Sequence, residues 1–220
     1  MPPKPKYTKE EIITAGYEVM RENGIDAVVA RIVGKRLGTT ATPIFTYFDT
    51  MEELKEEVYR KAQRECADYL NECIDFFPAF KEFGLRWIRF AKENPHIYSM
   101  LFMLHGPQKT TVGFINTDFI EVMKPMQKEI MDIFSISEQD AEQLIEDMVI
   151  YAQGIASMCV NGVGDFPEEQ ISRSLSRLCI SCVTRCRVLA GNLDVKQMQI
   201  WMSNLEKIPE RKAREQEAGK

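Results

Sequence analysis

The stretch TTATPIFTYF, residues 39–48, carries no charge, one proline and an aromatic end, and it follows a basic segment that closes on Leu37-Gly38. Thr39 or Thr40 as N-cap places Pro43 in a first helical turn, where its missing N–H has no partner to lose. Thr42, as the residue before proline, is pushed away from the α region and distorts that turn. Ile44, Phe45 and Phe48 then share one face and are expected to dock on helices over 8–23 and 29–37, leaving Thr42, Thr46 and Tyr47 pointing outward. Helix, glycine-containing turn and short helix is the arrangement of a helix-turn-helix, whose second helix enters a DNA major groove. Threonine suits that place, because its hydroxyl can bond several base edges and its methyl can meet the thymine methyl. Arg31, Lys35 and Arg36 are expected beside the phosphates, supplying salt-sensitive, sequence-independent affinity.

Helix signals continue on both sides. Thr8-x-x-Glu11 is a capping box, followed by Ile12, Gly16, Val19 and Met20 at helical spacing and closed by Asn23-Gly24. Thr50-x-x-Glu53 is a second, opening a long helix over about 50–77 whose stripe is Leu54, Val58, Ala62, Cys66, Tyr69 and Cys73, stopped by Pro78. Beyond it, Asn94-Pro95, Gly106-Pro107, Pro125, Ser135, the 162–167 loop and Gly191-Asn192 divide an aromatic- and methionine-rich stretch into further helices. No run of strands is visible, so the prediction is all-α. Its domains are a three-helix head over 1–55, a larger helical domain over 56–191, and a C-terminal helix with a charged tail over 192–220.

With 28 basic and 33 acidic residues, the chain of 220 carries a net charge of −5. A polyanion partner must therefore be met by a local patch. Residues 1–9 and 29–48 supply one, each with three cations and no acid. The N-terminus turns acidic before any apolar run, which predicts no secretory signal, and the uncharged run from 148 to 164 is too polar and short to span a bilayer. A cytoplasmic protein with six reduced cysteines is expected.

The order of these signals resembles the tetracycline-repressor family of bacterial transcriptional regulators. Glu22-Asn23-Gly24, Val33-Gly34, Gly38-Thr39-Thr40 and Phe45-Thr46-Tyr47-Phe48 stand where that family carries its helix-ending Gly, Ile-Ala, Gly-Val-Ser and aromatic pair, and Leu54 matches the leucine that follows. Residues 87–102, WIRFAKENPHIYSMLF, are also similar to a segment of some of its regulatory domains. Three positions depart: Val28-Val29 for the usual Thr, Gly34 for the usual Ala, and Met51 for the usual Lys. The resemblance implies a homodimer on a palindromic operator of double-stranded DNA, most often a repressor, released by a small effector bound in the larger domain. No cofactor is implied.

For that effector an apolar lining is available in Phe83, Trp87, Phe90, Tyr98, Phe102, Met103, Phe119 and Met123 as a cluster, although each residue singly is better explained as core, since an aromatic stripe at helical spacing needs no ligand. For the dimer, Met148, Ala152, Ile155, Leu175, Leu178, Cys182 and Cys186 recur at helical spacing, with intrachain packing as the competing reading. Cys179-x-x-Cys182-x-x-x-Cys186 places three thiols on one helix face, which admits a redox or metal sensor beside the same DNA-binding head, although core or interface packing accounts for them better. A helical adaptor with no DNA role is the remaining alternative. No phosphate loop, nucleophile elbow or zinc-protease helix is present, and Glu93-x-x-His96 is broken by Pro95, so an enzyme is not expected.

Overall fold

The computed structural model describes residues 6–103 and 120–212. Gly106-Pro107, His105 and Phe119 lie outside them. Among the described residues the chain is all helical apart from one two-residue ladder. Contacts gather residues 6–68 and 90–103 into one unit and 69–89 and 120–212 into another. This division differs from breaks at 55 and 191, because a segment expected in the larger domain packs with the head.

In the first unit, α1 (Lys9–Asn23) starts at the expected capping box. Thr8 Oγ1 accepts from the Glu11 amide at 3.2 Å, and the Glu11 carboxylate accepts from the Thr8 amide at 2.7 Å. The Thr8 bonds hold the Glu11 carboxyl below its usual range. A short 3₁₀ turn and α2 (Ala30–Arg36) follow. Then comes α3 (Met51–Asn71), where Thr50 Oγ1 accepts from the Glu53 amide at 3.2 Å while the Glu53 carboxylate reaches the Asp49 amide at 2.9 Å. Ile12, Met20, Val33, Ile44, Leu54 and Val58 are fully buried and form the head's core. Gly16 lets α1 and α3 touch, since a Cβ there would stand 2.9 Å from Val58 Cγ2. The short helix α5 (Pro95–Tyr98) and the π-turn Ser99–Met103 complete this unit, with α5 packed on α1.

The second unit begins in the last turn of α3 and passes through a 3₁₀ turn and β1 (Phe76–Phe77), so the helix expected over 50–77 ends at Asn71. It continues with α4 (Ala79–Glu93), α6 (Ile120–Phe134), α7 (Glu138–Val160), α8 (Glu168–Leu189) and α9 (Val195–Leu205). α6 packs on α7, α7 on α8 and α8 on α9. Phe134 joins two helices by meeting Phe80 edge-on at 6.0 Å and Trp201 at 5.3 Å, geometry that aromatic quadrupoles favour. The chain returns as β2 (Glu210–Arg211), antiparallel to β1 with Phe77 opposite Glu210.

Candidate nucleic-acid interface

α2 ends at Arg36, and the chain turns through Gly38, whose φ of +69° is open to glycine at little cost. The α-helix expected next is a single 3₁₀ turn, Ile44–Thr46, led by Pro43. The reason is local. Pro43 disfavours the α region at the residue before it, no side chain caps the turn, and the α3 capping groups already begin at Asp49, so no length remains for a second α-turn.

Within that turn Ile44 and Phe48 are buried at 0 and 3 % exposure, as their spacing requires, whereas Phe45 is 51 % exposed. The expectation that Phe45 docks in the core is therefore corrected. A 3₁₀ turn advances about 120° per residue, against 100° in an α-helix, and so throws Phe45 off the face that Ile44 and Phe48 share. Thr40, Thr42 and Thr46 are exposed and Thr39 is half-buried. Thr40 Oγ1 donates to Thr42 Oγ1 at 3.3 Å, leaving hydroxyls on a surface around one uncharged aromatic ring.

The cations divide by environment. Arg31 and Lys35 are exposed and form no ion pair among the described residues. Arg36 is engaged: its Nε donates to Glu18 at 2.8 Å and its Nη2 donates to Glu22. The Glu22 and Glu18 bonds raise the Arg36 pKa, and the Arg36 bond lowers that of Glu22. This guanidinium ties α1 to α2 and is not free for a phosphate unless those bonds open. Tyr47, expected to point outward, is half-buried and donates its hydroxyl to the Tyr7 carbonyl at 2.9 Å, while Tyr7 donates to the Leu37 carbonyl at 2.8 Å. Two phenols thus pin the segment entering α1 against the end of α2, and Lys6 lies over the Tyr7 ring at 5.3 Å.

Outside the head, the residues expected to line an effector pocket are distributed between the units. Phe83 and Trp87 belong to one, with rings 5.8 Å apart, and Trp87 donates to Gln153 at 3.1 Å. Phe90, Tyr98, Phe102 and Met103 belong to the other, with Tyr98 and Phe102 at 4.9 Å. Met123 is half-buried in α6. The cavity against Phe83 has a volume of about 10 Å³, room for no more than a water. Of the expected dimer residues, Met148, Ala152, Ile155 and Leu175 are buried within their own unit, and Leu175 Cδ1 stands 3.1 Å from where a Cβ on Gly84 would be. Leu178, Cys182 and Cys186 are half-buried. The apolar side chains of α7 left to solvent lie on a different side of the helix: Ile150, Tyr151 and Met158, beside Gly154.

Burial first, and then Asp147 and Asp140, push the thiols of Cys182 and Cys186 above the usual range, and burial does the same to Cys179. Raised thiols are poor nucleophiles and poor metal ligands. Among the described residues no group of three His, Cys, Asp or Glu is placed to hold a metal ion, and no helix is long and apolar enough to cross a membrane.

Two helices at a glycine turn, a following uncharged turn that presents threonines and an aromatic ring, and free cations alongside define a helix-turn-helix DNA-binding head. Residues 12–58 match the model of the bacterial regulatory proteins of the tetR family. That match gives the head the DNA-binding domain of such regulators and supports a role in regulating transcription. No curated protein and no solved structure matches it.

Proposed function

We propose that the protein is a cytoplasmic, homodimeric repressor that holds a palindromic operator through two copies of this head and leaves it when a small effector binds the larger unit. The observation that carries the reading is the surface of the 40–46 turn, where Thr40, Thr42, Phe45 and Thr46 are all exposed beside Arg31 and Lys35. Four uncharged, contact-capable side chains suit base edges, and the two cations suit phosphates.

Dimerisation is supported by the outer face of α7 and α8. Gly154 lies in the middle of α7, is exposed, and has nothing within 4 Å of a Cβ built on it. An exposed mid-helix glycine costs about 1 kcal/mol relative to alanine, and its own chain gives no return for it. A second copy's helix crossing closely at Gly154, between Ile150, Tyr151 and Met158, would supply that return. Charge supports the same face. Glu142 and Glu146 on α7, and Arg173 and Arg177 on α8, form no ion pairs among the described residues, an arrangement that a two-fold axis makes self-complementary.

Switching is supported by Arg86 of α4, which donates to the Tyr69 carbonyl at the end of α3 at 2.7 Å and meets Glu72 at 3.0 Å and Glu82 at 3.1 Å. An effector that displaces α4 would pull on α3 through this group, and α3 leads back to the head. A coupling of about 1–3 kcal/mol is sufficient for a modest switch.

The test is fluorescence anisotropy of DNA from upstream of the coding region, across a salt series and against shuffled competitor. Saturation at two protomers per site, with log affinity falling linearly in log salt, is expected. Equal binding to both DNAs, or one protomer per site, would overturn the operator reading or the dimer reading respectively.

A further inference from the structure

On the second unit, the end of α6, α9 and the β1–β2 ladder enclose a groove of about 480 Å³, within the range of small-molecule sites. Its apolar surface comes from Phe77 and Ile208, 53 and 49 % exposed, with Ile133 and the indole of Trp201 beneath. Antiparallel pairing explains why Phe77 faces outward. Phe76 turns its ring to Arg86, away from Phe77, and successive strand residues alternate. The polar rim carries Lys207, Arg211 and Lys212 together with Glu210, which stands opposite Phe77 on the ladder. Arg211 is held by Asp75 at 2.8 Å and Lys212 by Glu129 at 3.6 Å, whereas the Lys207 ammonium has no carboxylate partner among the described residues. Asn204 adds an exposed amide to the same rim.

We propose that this groove binds an amphipathic organic anion, an aryl or acyl carboxylate whose apolar body lies on Phe77, Ile208 and Trp201 and whose charge meets Lys207. Two exposed apolar side chains beside an unpaired cation fit an anion with a hydrophobic body better than a neutral oil or a free inorganic ion. The groove also adjoins a fixed point of the fold. Buried Lys81 of α4 donates to the carbonyls of Leu205 and Lys207, and Ser176 donates to the Leu205 carbonyl at 2.5 Å, so a ligand on Lys207 touches the segment that α4 holds. That regulatory consequence rests on the repressor reading, but the binding does not.

The probes are anilinonaphthalene sulfonate and its uncharged analogue N-phenylnaphthylamine, titrated into the full chain without DNA. One saturable site is expected, with the sulfonate at least tenfold tighter than the neutral dye. Lys207→Glu should remove that preference, Phe77→Ala should weaken both dyes, and Lys128→Glu, exposed on α6 outside the groove, should change neither. Energy transfer from tryptophan to dye should fall in Trp201→Phe, with Trp87 as the remaining donor. Sulfonate affinity unchanged in Lys207→Glu overturns the assignment. So does competition by a peptide of residues 212–220, which would give the groove to the chain's own tail, and so does affinity that drops as protein concentration rises, which would give it to a second copy. Dye failure with intact operator binding would leave the repressor reading standing.

Discussion

A Cβ on Gly34 would lie 2.7 Å from the Thr40 carbonyl oxygen and 2.8 Å from its carbon, closer than real side chains come to backbone. The Thr39 amide donates to the Gly34 carbonyl at 2.9 Å, so the turn lies directly on α2 at this point. The position where related heads carry alanine is therefore built here around an absent methyl. Gly34→Ala should push the 38–42 turn outward, cost about 1–3 kcal/mol of stability as an overpacked contact does, and weaken operator binding even where the protein remains folded. Denaturant midpoints and anisotropy on the same samples check both effects; unchanged operator affinity would mean that the turn adapts freely.

Phe45 has no hydroxyl and half its surface is open. On the repressor reading its natural contact is a thymine methyl. Replacing operator thymines one at a time by uracil should reveal a position where wild type loses affinity by several-fold and Phe45→Ala does not. If the two proteins respond alike at every thymine, the ring does not read the base.

Exposed cations should separate by partner. Lys35→Ala, which removes an unpaired ammonium, should reduce the salt slope of operator binding by about one. Arg36→Ala should reduce it less, because Glu18 and Glu22 already hold that group. An equal loss of slope would show that Arg36 leaves its acids for the DNA.

Lys81 is fully buried with carbonyl partners, and burial lowers its pKa from 10.5 to about 8. The folded state then binds the proton more weakly than the unfolded one, so the cost of the buried charge is present below pH 8 and relieved as pH rises towards 10.5. The stability gap between wild type and Lys81→Met should accordingly widen in favour of wild type from pH 7 to pH 10, measured by urea unfolding. A gap that narrows would mean that the charged form is the better bound.

Gly154→Ala should raise the stability of the isolated chain by about 0.5–1 kcal/mol through helix propensity, since nothing stands where the methyl would go. Gly154→Trp should leave the fold intact and shift the protein to monomer in sedimentation equilibrium. A dimer that tolerates tryptophan there uses another face.

Helix positions were legible because they depend on local groups. Thr8 and Thr50 act as caps at the expected residues, and Ile12, Met20, Leu54 and Val58 bury the face their spacing marks. The order of cations, glycine turn and threonines was likewise enough to identify the head, since that pattern is short-range and residues 12–58 match the family model.

The all-helical class, the head and its capped helices could be read along the chain, because each is set by interactions within a few residues. Which cation is free, which aromatic ring faces solvent and which helix face remains for a partner depend on how distant segments pack. Arg36 is claimed by acids fourteen and eighteen residues earlier in the chain. Phe45 is turned out by a 3₁₀ turn compressed between Pro43 and the α3 cap, and α7 was left with Ile150 and Tyr151 outward because its Met148 and Ala152 side went inward. Charge pairing, turn compression and the choice between two apolar faces depend on groups distant in sequence, and no spacing along one helix records them.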